Sequence, residues 1–212
     1  MIKYTNFDKL LSKYSHLRVL EYDCNHIPKF IQGTFIMDEA YNGVHFVEEY
    51  HIRIDLVNYE VPFITEIGEH IDKKYQHKYG NNGLCLGITT EILTNCCTNN
   101  IFDLLLWFDN FVIPYFFSYE YYNLTGKYPF GERSHGNQGI LEYYMDIFNL
   151  QNINQAYNFI KFASTLKQYR GHFLCPCGSN KKIRNCHKNE LIKTFDAYVK
   201  ERILVDLKTL ER

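Results

Sequence analysis

The sequence predicts an α+β fold, and three features of it carry that expectation. Apolar residues recur at helical spacing near the start of the chain. Three runs rich in β-branched and aromatic residues follow, divided by turn residues, and helical spacing returns from residue 101 onward. A helix, an antiparallel meander with one wet face and a set of later helices is the arrangement that satisfies all three.

Thr5 or Asn6 can cap a first helix whose apolar face is Phe7, Leu10, Leu11 and Tyr14. The runs Leu17 to Tyr22, Lys29 to Ile36 and His45 to Leu56 then read as strands, with turns at Asn25, Pro28, Gly33, Asn42 and Gly43. In the third run Tyr50, Ile52, Ile54 and Leu56 alternate with His51, Arg53 and Asp55, which assigns one face to the core and one to water. Pro62 cannot donate to a ladder, so the segment from Asn58 to Ile71 suits an edge or a change of direction. The residues Thr89 to Thr98 follow no clear period. Asn99 or Asn100 is then expected to cap a long helix with the stripe Ile101, Leu104, Leu105, Phe108, Phe111, Val112, Tyr115 and Phe116, bent or ended by Pro114. Further helical patterns cover Ile140 to Phe148, Asn154 to Tyr169, and Ile192 to Leu210.

With 212 residues, 46% of them hydrophobic and 17% aromatic, the chain can bury a core without disulfides. Its formal net charge of −1 and lack of a long basic run argue against general nucleic-acid binding. The most apolar run, Ile101 to Phe117, is interrupted by Asp103, Asp109, Asn110 and Pro114, so neither a membrane span nor a secretory leader is expected, and a cytoplasmic location is. Two domains are anticipated, residues 1–170 and a small module at residues 171–212.

Two stretches carry chemistry. In the first, His77-Lys-Tyr-Gly-Asn-Asn-Gly-Leu-Cys85-Leu-Gly87, glycine and asparagine supply a turn and Cys85 follows directly. A thiol held by a short ordered segment with a histidine nearby is a plausible nucleophile, because the surroundings fix how much thiolate exists. The duller alternative is a small buried hydrophobe. His77 suits bracing the loop better than acting as a base. His135, in the Gly-rich loop up to Gly139, either caps a helix or lines the site, and Cys96 and Cys97 lack a histidine at metal spacing.

The second stretch is Cys175-Pro-Cys177-Gly-Ser-Asn-Lys-Lys-Ile-Arg-Asn-Cys186-His187. Three thiolates and one imidazole make a closed tetrahedral set for one structural zinc ion, with no position left for substrate. The spacing and the Cys-Pro-Cys-Gly-Ser run resemble the SEC-C zinc motif, found at the tail of the bacterial secretion ATPase and on many other bacterial proteins. Asn180 stands where that motif usually has glycine, and asparagine also tolerates the left-handed region. The resemblance implies zinc and a protein-docking role.

The first 150 or so residues resemble a ubiquitin-conjugating enzyme, on Tyr59 to Ile71 as the approach segment and on His77 with Gly83-Leu84-Cys85-Leu86. They are more similar to the prokaryotic branch, with its histidine, Asn-x-Gly turn, Cys-Leu-Gly, aromatic helix and His-Gly-x-x-Gly segment, here His135 to Gly139. The resemblance implies a transferase, set in bacterial antiphage operons with cyclic-oligonucleotide signalling. It would carry a protein C-terminus as a thioester on Cys85 and pass it to a target amine. Its implied partners are an activating enzyme, a ubiquitin-like modifier or the C-terminus of a signalling synthase, and a target protein. Lys78 and Tyr79 follow His77 where the eukaryotic His-Pro-Asn triplet would continue, so oxyanion stabilisation falls to Asn82, Asn81, a backbone amide near Cys85 or His77. Two other functions fit the same residues: an inactive scaffold of this fold that docks proteins through the zinc module, and a hydrolase pairing Cys85 with His77 or His135.

Overall fold

The computed structural model describes residues 3–212. In chain order these form β1 (Lys3–Thr5), α1 (Phe7–Lys13), β2 (Leu17–Tyr22), β3 (Pro28–Tyr41), β4 (Val44–Asp55), β5 (Phe63–Glu66), α2 (Thr89–Cys96), β6 (Cys97–Thr98), β7 (Ile101–Asp103), α3 (Leu104–Trp107), a π-helical turn (Phe108–Val112), α4 (Ile113–Thr125), α5 (Gly136–Ile147), α6 (Ile153–Thr165), a 3₁₀ turn (Ile183–Asn185), α7 (Lys188–Lys193) and α8 (Ala197–Leu210). The fold is mixed α+β. No helix among the described residues is long and apolar enough to cross a membrane.

The chain divides into two compact units that interleave in sequence. One comprises residues 4–87 and 103–131, the other, among the described residues, residue 3 with residues 88–102 and 132–212. The helices of residues 132–170 therefore pack in the same unit as the module after residue 171, so the compact units do not part at residue 170.

In the first unit β2, β3, β4 and β5 form an antiparallel meander in that order. The alternation of β4 has the expected result: Tyr50, Ile52 and Ile54 are fully buried and Leu56 nearly so. Both neighbours of β4 are longer or shorter than their apolar runs suggest. The β3–β4 ladder extends to the hairpin pairing Tyr41↔Val44, because polar residues outside the core still complete backbone hydrogen bonds. Phe35 of β3 packs against Tyr14, Phe108 and Phe116 at ring-centroid distances of 5.3, 5.0 and 5.4 Å, so α1 and the helical run through α4 are tied to the sheet by aromatic contacts.

That helical run starts later than its apolar stripe suggests. Asn99 and Asn100 both adopt left-handed backbone conformations and turn β6 into β7, so Ile101 belongs to a strand. Asp103 is the cap, its carboxylate accepting from Leu106 N at 3.0 Å. Pro114 does not end the helix. Its missing N–H coincides with the wide π turn just ahead of it, and α4 continues to a left-handed Gly126.

In the second unit α2, α5, α6 and α8 pack together, and α2 occupies residues whose period gave no element. Phe148 stacks on Phe159 at 4.0 Å. Asp206 of α8 is wholly buried, accepting from Thr90 Oγ and, at 3.1 Å, from Tyr144 Oη. Arg202 Nε lies 2.9 Å from its other oxygen, off the line of a hydrogen bond.

Candidate functional site

Cys85 is set on a short antiparallel pairing whose two arms run from His77 to Tyr79 and from Gly83 to Cys85. Cys85 N donates to His77 O at 2.8 Å, Lys78 bridges Leu84, and Tyr79 N donates to Gly83 O at 2.8 Å. The turn between the arms is closed by Asn82 N donating to Tyr79 O at 2.9 Å, with Asn82 in the left-handed region. The Asn81 carboxamide oxygen accepts from Gly83 N at 3.1 Å. Thus the predicted residue Asn82 lends its backbone to the turn, and the Asn81 oxygen is used to hold it.

Side chains alternate across such a pairing. Lys78 and Leu84 take one face and are buried, at 8% and 4% exposure, while His77, Tyr79 and Cys85 share the other. Cys85 is half-buried and uncrosslinked. A ring nitrogen of His77 lies within 4.8 Å of its sulfur. Tyr79 is 51% exposed, and the partial burial of its phenol beside the Cys85 thiol pushes that phenol above its ordinary value.

Several features fix this loop. Lys78 Nζ donates to Ile71 O at 2.8 Å and pairs with Glu66 Oε2 at 3.1 Å. Glu66 also accepts from the backbone N–H of His70 and of Ile71. Leu84 N donates to Ile64 O at 2.9 Å, joining the loop to the edge strand β5. A Cβ at Gly83 would fall 2.0 Å from Phe63 Cζ, so only glycine lets that ring, itself stacked on Tyr59 at 4.1 Å, close over the turn. The Tyr115 hydroxyl donates to His77 O at 3.0 Å, and the His77 ring meets Tyr128 and Tyr75 edge-on. These contacts hold the His77 backbone and ring in place.

His135 belongs to the other unit, at the N-cap position of α5, where its side chain makes no capping bond. Cys96 and Cys97 are buried at the end of α2 and in β6, and burial pushes the Cys97 thiol up.

In that second unit Cys175, Cys177, Cys186 and His187 converge, with all four ligand atoms within 4.8 Å of one another. Cys175 Sγ and Cys186 Sγ each lie 3.1 Å from His187 Nδ1, and Cys177 Sγ lies 3.6 Å from Cys186 Sγ. The cluster can hold a metal ion. Its loop closes through Cys175 N donating to Lys181 O at 2.8 Å and Ile183 N donating to Phe173 O at 2.9 Å. Asn180 is left-handed at φ 56, the conformation that glycine would otherwise supply. The Phe159 ring meets His187 edge-on at 5.5 Å, which ties the cluster to α6.

Sequence reasoning did not single out Tyr79, Glu66 or Tyr115. The first was legible in principle, since a turn at residues 80–82 with Cys85 beyond it sets residues 77 and 79 on the face of Cys85. No protein-family model, curated protein or solved structure was found to match the chain.

Proposed function

We propose that this protein is a ubiquitin-conjugating-like acyl carrier that holds a protein C-terminus as a thioester on Cys85 and passes it to a target amine. The observation that carries the proposal is the half-buried Cys85 sulfur on a loop bolted to the sheet edge, with an imidazole within 4.8 Å of it. The helix, four-strand antiparallel meander and cysteine-bearing loop occur in the order that the resemblance implies, which supports the same fold assignment.

Loading is an exchange of thioesters. The Cys85 thiolate attacks the donor carbonyl, the new carbon–sulfur bond forms, and the donor sulfur leaves with its electron pair and takes up a proton. In transfer an amine attacks that carbonyl, a carbon–nitrogen bond forms, the bond to Cys85 breaks, and the proton shed by nitrogen restores the thiol. His77 and its tyrosine contacts keep the sulfur in one place through both steps.

For the cluster in the other unit we propose structural zinc. Three thiols and one imidazole are a closed donor set; the 3.6 Å between the Cys177 and Cys186 sulfurs falls in the roughly 3.5–3.8 Å that tetrahedral zinc bonds of about 2.0–2.3 Å require, and the 3.1 Å sulfur–Nδ1 separations are somewhat shorter. Zinc bound there supplies cross-linking and no open position for substrate. The chain's own part is to gather the four donors and neutralise them with Lys181, Lys182 and Arg184 nearby in sequence.

Incubation with a glycine-terminated peptide thioester tests the acyl-carrier function. One acyl mass per chain, removed by excess thiol and absent in Cys85→Ala, is expected; an adduct that persists in Cys85→Ala excludes Cys85. No adduct, with Cys85 also inert to iodoacetamide in the native state, favours the docking scaffold instead. Release of free peptide acid without addition of an amine favours the hydrolase.

A further inference from the structure

We infer that the open edge of β3 beyond β2 is a docking site for an extended protein C-terminus, which adds there as a short antiparallel strand. Its terminal carboxylate lies at Lys13 and His16, and a basic side chain four residues earlier lies beside Asp38. The site is two strands away from β5 and the Cys85 loop, so the inference does not depend on the acyl-carrier function.

β2 covers β3 only as far as the pair Leu17↔Gly33, whereas β3 continues to Tyr41. The direction of the backbone groups in that extension follows from the β3–β4 ladder. Tyr41 and Val44 close a two-residue hairpin at Asn42 and Gly43, both in left-handed conformations, so they exchange both hydrogen bonds. Such pairs alternate along an antiparallel ladder, so Glu39, Met37 and Phe35 also turn their N–H and C=O toward β4. Leu56 N, donating to Lys29 O at 2.9 Å, continues the same alternation. Thr34, Ile36 and Asp38 therefore turn theirs the other way, and among the described residues these groups meet no backbone partner. Free edges are ordinarily blocked by proline, lysine or a bulge. Residues 34–41 contain neither residue, and their register with β4 is unbroken.

A cavity of about 400 Å³ lies along this edge, and its lining selects the occupant. Side chains of an added strand point alternately to the two faces of the sheet. Phe35 and Met37 are buried and Ile36 is 46% exposed, so the inward positions meet Tyr14, Met37 and Ile113 and suit apolar residues. One end is closed. A Cβ on Gly33 would fall 2.0 Å from His16 O, so the chain entering β2 crosses the path of the added strand. The β3–β4 hairpin of a second copy would run into that crossing, whereas a chain end stops short of it. The Lys13 ammonium, the Ser15 hydroxyl and the His16 ring stand at this end, on exposed residues that line the cavity. Lys13 also pairs with Asp109 at 2.8 Å, and an ammonium with three donors can serve a second carboxylate as well. The opposite end carries Asp38 and Glu39. A C-terminus that enters there and stops at His16 runs antiparallel to β3 and meets complementary charge at both ends.

The test is the fluorescence anisotropy of fluorescein-labelled Gly-Lys-Val-Thr-Val-Ser with a free C-terminus, titrated with the full chain. Saturable binding is expected. Amidation of the peptide C-terminus, or His16→Glu in the protein, should weaken it about 10- to 100-fold, the loss expected for a hydrogen bond to a charged group. Ile36→Pro removes an N–H that faces the cavity and none that faces β4, and should abolish binding with little change in the unfolding midpoint. Asp38→Lys should bind this peptide weakly and recover affinity for the peptide with Glu in place of Lys, a rescue that a folding defect cannot produce. No saturable binding to wild type, equal affinity for the amidated peptide, or an Asp38→Lys chain indifferent to the charge swap overturns the inference. So does a dimer in sedimentation that Ile36→Pro dissociates, because the edge then belongs to a second copy.

Discussion

Lys78 Nζ lies 3.1 Å from Glu66 Oε2, and the two side chains are 1% and 0% exposed. A lysine one residue beyond His77 and a glutamate at the end of an edge strand are thereby locked together under the turn that presents Cys85. Taking two charges out of water costs several kcal/mol for each, and Glu66 recovers part of that through the N–H groups of His70 and Ile71. Removing one partner takes the opposite charge from the other, leaving Lys78 only the Ile71 carbonyl or Glu66 only the N–H groups of His70 and Ile71.

Lys78→Met and Glu66→Gln are therefore each expected to destabilise the chain by about 3–5 kcal/mol, measured by denaturant unfolding. The double variant Lys78→Met with Glu66→Leu should recover most of that loss, because no unpaired charge then remains. Single variants as stable as wild type would show that the pair does not hold the loop.

The parts of the fold that follow from local pattern were legible, and those that depend on distant partners were not. Tyr50, Ile52 and Ile54 declare their strand by period, and the spacing of Cys175, Cys177, Cys186 and His187 declares a donor cluster, because both are local properties of the chain. Ile101 reads as the first residue of a helix, yet two left-handed asparagines place it in a hairpin, a choice that the apolar stripe does not encode. Nothing in the local sequence marks Lys78 for burial, and its pairing with Leu84 turns it inward. The interleaving of residues 88–102 and 132–212 in one unit is likewise a matter of long-range contacts that no local pattern reports.

Metal content tests the donor cluster. A natively purified sample is expected to hold about one zinc ion per chain. Chelation, or Cys177→Ser, should speed amide hydrogen exchange in residues 171–193 while leaving β3 and β4 protected, since metal-binding energy is folding energy in a unit of this size. A zinc-free native sample with the same protection would contradict a structural metal.

Glu142 links the loop before α5 to the helix itself, accepting from Ser134 N at 2.9 Å and from Ser134 Oγ at 2.8 Å. The backbone N–H first, and the hydroxyl next, hold its carboxyl below the ordinary value. The folded state thus binds this proton less readily than the unfolded state. The stabilisation is present above the unfolded value of about 4.3 and is lost as the pH falls through the lower folded value. Glu142→Gln should lower stability at pH 7 by less than about 1 kcal/mol, given its exposure. The difference from wild type should vanish in strong acid, where both side chains are neutral. A difference that persists there would assign the effect to packing.

Most direct of all is the fate of an acyl group offered to Cys85→Ser. The hydroxyl at position 85 should accept the acyl group from a glycine-terminated peptide thioester as an oxyester that survives excess thiol, and peptide mapping should place it on residue 85. Acylation that maps instead to Cys24, the exposed cysteine, or a wild-type chain that acquires no thiol-labile acyl group, would contradict the assignment of Cys85 as the carrier.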